Sequence, residues 1–175
     1  GSGVRRALPA EIPVVVHILY RAEADNLSDE QVATQIAVLN EDYAAANEDL
    51  KNVPPVFTDR VGNPGLRFAL ATVDPTGAAT GGITRRKITT TAFGVDDRMK
   101  AESTGGTDPW DATRYLNIWV CRLSGGVLGY AQFPGGPPQT DGVVILTSAF
   151  GRGGSADAPF DLGRTTTHEV GHYLN

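Results

Sequence analysis

The stretch Arg164-Thr-Thr-Thr-His168-Glu169-Val-Gly-His172-Tyr-Leu-Asn175 decides how the rest of the chain is read. It contains the spacing H-E-x-x-H. On a helix, residues four apart share a face, so the imidazoles of His168 and His172 can hold one metal ion. Glu169 leaves the helix at another angle and can reach a water at that metal as general base. The plain alternative is a surface helix with two solvated imidazoles. Asp161 is the expected N-cap after Pro159-Phe160, and Leu162 the first apolar contact. Leu162, Thr166, Val170 and Tyr173 then make a stripe suited to packing under a sheet. Gly171 costs helix stability up to about 1 kcal/mol relative to Ala, which predicts close backbone packing at that point.

Asn175 follows as the turning residue. A chain leaving a helix abruptly favours a left-handed conformation there, for which Asn is the usual choice after Gly. Here the chain resembles the metzincin clan, whose long motif is H-E-x-x-H-x-x-G-x-x-H. More narrowly, H-E-V-G-H-Y-L-N is similar to the pappalysin-type metallopeptidases, with Asn175 where most metzincins carry Gly. The resemblance runs from Val14 to Asn175, although only the terminal motif is specific. It implies a third His three residues beyond Asn175, and a methionine turn and specificity pocket further on. Met99 comes too early to be that methionine.

The 175 residues are 41% apolar and 20% charged, in the range of a single ordinary domain or a large part of one. A formal charge of −5 gives no electrostatic footprint for nucleic acid or an anionic membrane. No apolar run approaches the roughly 18 residues a membrane span needs. Gly1-Ser2-Gly3 reads as a remnant of expression. Cys121, the one cysteine, is either a buried thiol or half of a disulfide with a partner elsewhere.

Pro13–Tyr20 is apolar on both parities and β-branched, as a strand covered on both faces would be. His17 within it reads as a core residue sooner than a ligand. Ser28 is an N-cap with Gln31 completing a capping box, and Leu27 and Val32 sit at the staple positions. Val32, Ile36, Leu39 and Tyr43 follow at helical spacing, and the helix is expected to reach about Asn47. On it, Glu41 and Asp42 read as a solvated face. Lys51–Gly65 is a connecting loop and Leu66–Ala71 a strand. Gly81-Gly-Ile83-Thr-Arg85 matches another stretch of the same family. From Ile88 to Thr107 no period holds, and a short helix is expected near Met99. Asp96 and Asp97 are a weak calcium signal beside the plainer reading of solvated charge. Leu116–Cys121 reads as a central strand, Val127–Phe133 as an edge strand and Val143–Thr147 as another strand, before the Gly- and Ser-rich loop Gly151–Ala158.

This order predicts an α/β fold, a mixed, mostly parallel twisted sheet of about five strands backed by two helices. Residues 1–175 read as a single N-terminal subdomain of a metallopeptidase catalytic domain, without its C-terminal subdomain. The resemblance implies a secreted, extracellular zinc metalloendopeptidase acting on peptide or protein substrates. His168 and His172 are the metal ligands, Glu169 the general base, and Gly129, Tyr130 and Ala131 the strand that takes the substrate by strand addition. Calcium is a further cation the resemblance allows. Two other readings stand beside this one. The chain alone could be an incompetent N-terminal part that binds zinc weakly or associates with a separate C-terminal half. It could also belong to a different H-E-x-x-H hydrolase, with a Glu as third ligand on a later helix.

Overall fold

Ala10–Tyr20 forms β1, an eleven-residue strand against which the other elements are laid. The structure is a computed structural model that describes residues 10–175, so the Gly1-Ser2-Gly3 opening lies outside the described residues. Along β1 the side chains alternate. Val14, Val16 and Ile18 turn to one core, while Val15 and Leu19 turn to two clusters on the other face.

The remaining strands are β2 (Leu66–Leu70), β3 (Ile83–Lys87), β4 (Leu116–Cys121), β5 (Gly129–Ala131) and β6 (Val143–Leu146). The sheet order is β2-β1-β4-β6-β5, with β3 also on β1. Every pairing is parallel except β5 with β6. Six strands form where about five were expected, because β1 is long enough to take two neighbours end to end on one side. Its first half, Ala10–Val14, pairs with β2, and its second, Val16–Tyr20, with β3. The sequence Ile-Thr-Arg-Arg-Lys of β3 hides this, since an edge strand carries charge where a central one carries valine.

Two helices, α1 (Asp29–Tyr43) and α2 (Arg164–Leu174), cover one face of the sheet. Val32 and Leu39 of α1 and Val170 of α2 meet Val14, Phe68, Ile118, Val143 and Ile145 in the main core. Each fully buried side chain of this kind is worth about 1.5–3 kcal/mol. The opposite face is closed by the irregular residues 88–115, which bring Phe93, Met99, Trp110 and Tyr115 against Leu19, Val15 and Trp119. That segment lacks a period because it is a lid of loops and short turns, including the short helix expected near Met99, a 3-10 helix at Arg98–Lys100. The buried thiol of Cys121 belongs to this second core, and burial pushes it up to about 12.

Local expectations are met unevenly. Ser28 caps α1, its hydroxyl accepting the Gln31 N–H at 3.1 Å. The Gln31 side chain does not close the capping box; its amide donates instead to the Phe150 carbonyl at 2.8 Å. A loop arriving from far along the chain outbids the local partner. Helix α1 stops at Tyr43, short of Asn47, because Ala45 turns to a φ of +51°. A 3-10 segment, Glu48–Asn52, runs into the loop Lys51–Gly65, and a second, Pro55–Arg60, lies within it. His17 is fully buried on the face away from the helices. Its Nδ1 lies 2.8 Å from Thr84 Oγ1 and its Nε2 3.0 Å from Asn117 Oδ1, as a satisfied core residue would.

Candidate functional site

Helix α2 begins at Arg164, later than Asp161 suggests, so Asp161 is not its N-cap. The cap position falls to Gly163, whose φ of +73° suits no residue with a side chain as well. Leu162, expected to start the apolar stripe, is consequently left outside the helix and 56% exposed. Thr166 and Val170 are buried as that stripe requires, with Tyr173 half-buried. Gly171 does not mark tight packing: a methyl group there would meet only the Tyr43 hydroxyl, at an ordinary 3.6 Å. At the far end Asn175 takes a φ of +82°, the left-handed turn expected of it.

One turn apart on α2, the exposed rings of His168 and His172 converge, with 3.0 Å between their Nε2 atoms. The ring centroids are 4.6 Å apart and the planes nearly perpendicular. Two nitrogens at about 2.0–2.1 Å from a tetrahedral zinc stand about 3.3 Å apart, so this pair needs only a small opening to take such an ion. Among the described residues, no group of three or more His, Cys, Asp or Glu side chains gathers as a metal site. Glu169 sits inward of the histidines, only 9% exposed. Burial raises its carboxyl above the usual range, and the neighbouring imidazoles work against that rise. A buried carboxylate beside exposed, convergent imidazoles is poorly explained as a solvated surface helix.

The edge strand β5 lies beside α2. The Leu146 N–H donates to the Leu128 carbonyl and the Gln132 N–H to the Gly142 carbonyl, so residues 128, 130 and 132 bond toward β6. By antiparallel alternation, Gly129 and Ala131 turn their main-chain groups to the open edge. Tyr130 instead packs its side chain into the second core. The three residues singled out from sequence therefore divide, two presenting polar backbone outward and one anchoring the strand. Phe133, two residues on, is 59% exposed and sets its ring 5.5 Å from that of His172, edge to face.

The start of α2 is held by α1 through polar side chains that belong to no motif. Gln35 is fully buried; its Nε2 donates to the Gly163 carbonyl at 3.0 Å. Its Oε1 accepts from the Gly151 N–H at 2.7 Å and the Thr166 hydroxyl at 2.8 Å. The available signal was position: Gln35 falls between Val32 and Leu39 on the apolar stripe, where a polar side chain needs buried partners. Glu41 stays partly exposed, as a solvated face would have it, whereas the Asp42 carboxylate is buried. Glu41 pairs with Arg152 at 2.6 Å, while Asp42 accepts from Thr167 Oγ1 at 2.6 Å and lies 3.3 Å from Arg164. A carboxylate beside the first turn of α2 also favours the positive end of its dipole. Asp96 and Asp97 are likewise engaged, the first by Arg98 at 2.7 Å and the second by Lys100 at 2.9 Å.

Roomier hollows lie elsewhere. One of about 460 Å³ opens beyond the carboxyl ends of the parallel strands, lined by Asp25, Arg122 and Thr147 among others. Another, of about 630 Å³, is lined by Glu41, Asp49, Arg152 and Arg164 among others. Neither includes the histidine pair, which lies on open surface beside the β5 edge. Chemistry and not volume marks that pair as the candidate site.

No family model matches the chain. It is 30% identical over 175 residues to extracellular metalloprotease 1 of Coccidioides posadasii, covering 95% of this chain and 51% of that protein. An extracellular metalloprotease of Arthroderma gypseum is 34% identical over 166 residues, covering 90% and 44%. Mature mirolysin of Tannerella forsythia, solved in complex with a cleaved peptide, superposes with a TM-score of 0.93 at 49% identity. That match covers 97% of this chain and 64% of the mirolysin chain. The chain is therefore similar along nearly all of its length to metalloproteases, and spans about half the length of the curated relatives it matches.

Proposed function

We propose that the whole protein is an extracellular zinc metalloendopeptidase of the pappalysin-like metzincin type, with His168 and His172 as metal ligands and Glu169 as general base. The carrying observation is the convergence of the two Nε2 atoms to 3.0 Å beside the buried carboxylate of Glu169. The metalloprotease relatives, two of them named extracellular, support the same reading. Two imidazoles leave positions on an ion for a third protein ligand and for solvent, and the resemblance puts that third ligand, a His, after Asn175. When bound, zinc supplies a Lewis acid that polarises the scissile carbonyl and acidifies the attacking water.

The chain's own residues supply the rest. Glu169 accepts the proton of that water and returns it to the leaving amine. A carboxyl made more basic by burial is better matched to this task than one in free solvent. The outward N–H and C=O groups of Gly129 and Ala131 hold an extended peptide as an added strand, laying it alongside α2. Zinc content by atomic emission and cleavage of a long peptide, before and after chelation, test the proposal on the intact protein. Stoichiometric zinc, loss of cleavage on chelation and recovery on zinc return are expected; cleavage that survives complete metal removal overturns it.

A further inference from the structure

Beneath β5, on the face away from the helices, a lysine is buried where an apolar residue would serve packing better. Lys100 is 2% exposed. Its Nζ is 2.9 Å from Asp97 Oδ1 and donates to the Thr140 carbonyl at 2.7 Å. The ammonium also lies 5.1 Å from the ring centre of Tyr130 and 5.4 Å from that of Trp119. The Tyr130 hydroxyl in turn donates to Asp97 Oδ1 at 3.0 Å. One cation thus joins three separate pieces of chain: the turn at Asp97, the middle residue of β5, and the loop that returns from β5 to β6.

A buried ammonium is costly to desolvate, and burial lowers the basicity of Lys100 against the pull of Asp97. A three-residue edge strand has few backbone bonds of its own and depends on side-chain anchors such as Tyr130 and Ala131. Its ladder with β6 is short, and its unpaired side faces solvent. The returning loop also carries Phe133, whose ring rests on His172. It is gathered by Thr140, which bonds Gln132 through its hydroxyl and Lys100 through its carbonyl. Loss of the lysine would free both the strand and the aromatic ring beside the candidate ligands.

We propose that Lys100 is a positioning residue that, through Asp97, Tyr130 and Thr140, fixes the β5 edge and the Phe133 loop for binding extended peptides. This rests on the peptidase reading above and adds to it the residue that sets the rigidity of the substrate edge. Lys100→Met keeps the volume and removes the charge, and Tyr130→Phe keeps the ring and removes the hydroxyl with its bond to Asp97 and its contact with Met99 Sδ.

Amide hydrogen exchange and steady-state kinetics on the intact protein test it. Both variants are expected to exchange faster than wild type in residues 128–141, with α2 unchanged. For a peptide long enough to line β5, KM should rise about tenfold in Lys100→Met, the loss of roughly 1.4 kcal/mol of binding, with kcat changing much less. A peptide too short to reach β5 should show little change, which a general loss of fold would not produce. Exchange and KM equal to wild type in both variants overturn the proposal. If Lys100→Met fails to fold, Tyr130→Phe decides, and exchange unchanged at residues 128–141 overturns it. A wild type that cleaves neither peptide overturns the peptidase reading, while the exchange comparison still decides whether Lys100 holds the edge.

Discussion

Gly129 of the edge strand lies directly against Glu169 of the histidine-bearing helix. A methyl group on Gly129 would stand 3.1 Å from Glu169 Cγ and 2.9 Å from the Val144 carbonyl oxygen. The absence of a side chain at one position thus sets how closely the β5 edge approaches Glu169, the proposed general base.

Gly129→Ala is therefore expected to displace Glu169 without touching either imidazole. Peptide turnover should fall by about threefold to tenfold, since Glu169 need give only a few tenths of an ångström and a full ångström costs about a hundredfold. Metal content, measured by atomic emission, should stay at the wild-type level. Unchanged kcat would mean that Glu169 is not the proton acceptor, or that β5 yields instead.

Substitutions in the motif itself separate its two roles. Glu169→Gln should keep the metal and lose about 10²–10⁴-fold in kcat, the usual contribution of a general base. His168→Ala should lose the metal. Equal metal loss in both variants would make Glu169 a ligand or a structural residue.

The two outward-facing residues of β5 give a test of strand addition that Tyr130 does not. Proline at Tyr130 would break a bond to β6 and harm the sheet, whereas Ala131→Pro removes a donor from the open edge. Ala131→Pro should raise KM for a long peptide by several-fold or more with the metal retained; unaltered kinetics on that peptide would place the substrate elsewhere.

Gln35→Met replaces a buried amide with an apolar chain of similar length. It strands the Gly151 N–H, the Gly163 carbonyl and the Thr166 hydroxyl, each unpaired group costing about 1–3 kcal/mol. Denaturant unfolding should show the loss, and metal affinity should fall with it, since the same bonds fix the start of α2. A stable variant with weakened metal binding would confine the effect to α2, whereas no change in either measurement would refute the role.

His17 gives the fold a dependence on pH. Burial lowers its pKa from 6.5 to about 4, against the bond to Asn117. Between those values the unfolded chain takes up a proton that the folded chain refuses. Stability from this group is whole above pH 6.5 and drains away as pH falls toward 4, by about 3 kcal/mol in all. Unfolding midpoints at pH 7 and pH 5 should differ less in His17→Phe than in wild type, whatever the variant costs at both.

The sequence alone determined what local chemistry controls. The H-E-x-x-H spacing puts two imidazoles on one helical face, Ser28 caps α1, and Asn175 turns left-handed at the end of α2. The valines of β1 declare a strand buried on both faces. Each of these depends on residues a few places apart, whose geometry the backbone dictates wherever they sit. Tertiary structure decided the rest. Gln31 abandons its capping box for the Phe150 carbonyl, Asp42 becomes a buried partner of Thr167 and Arg164, and β3 pairs because β1 has length to spare. The contact of Gly129 with Glu169 and the burial of Lys100 beneath Tyr130 join residues about 30 to 40 places apart. Such partners are chosen by which loops return to the same face of the sheet, and desolvation makes each buried polar atom take whatever partner arrives there.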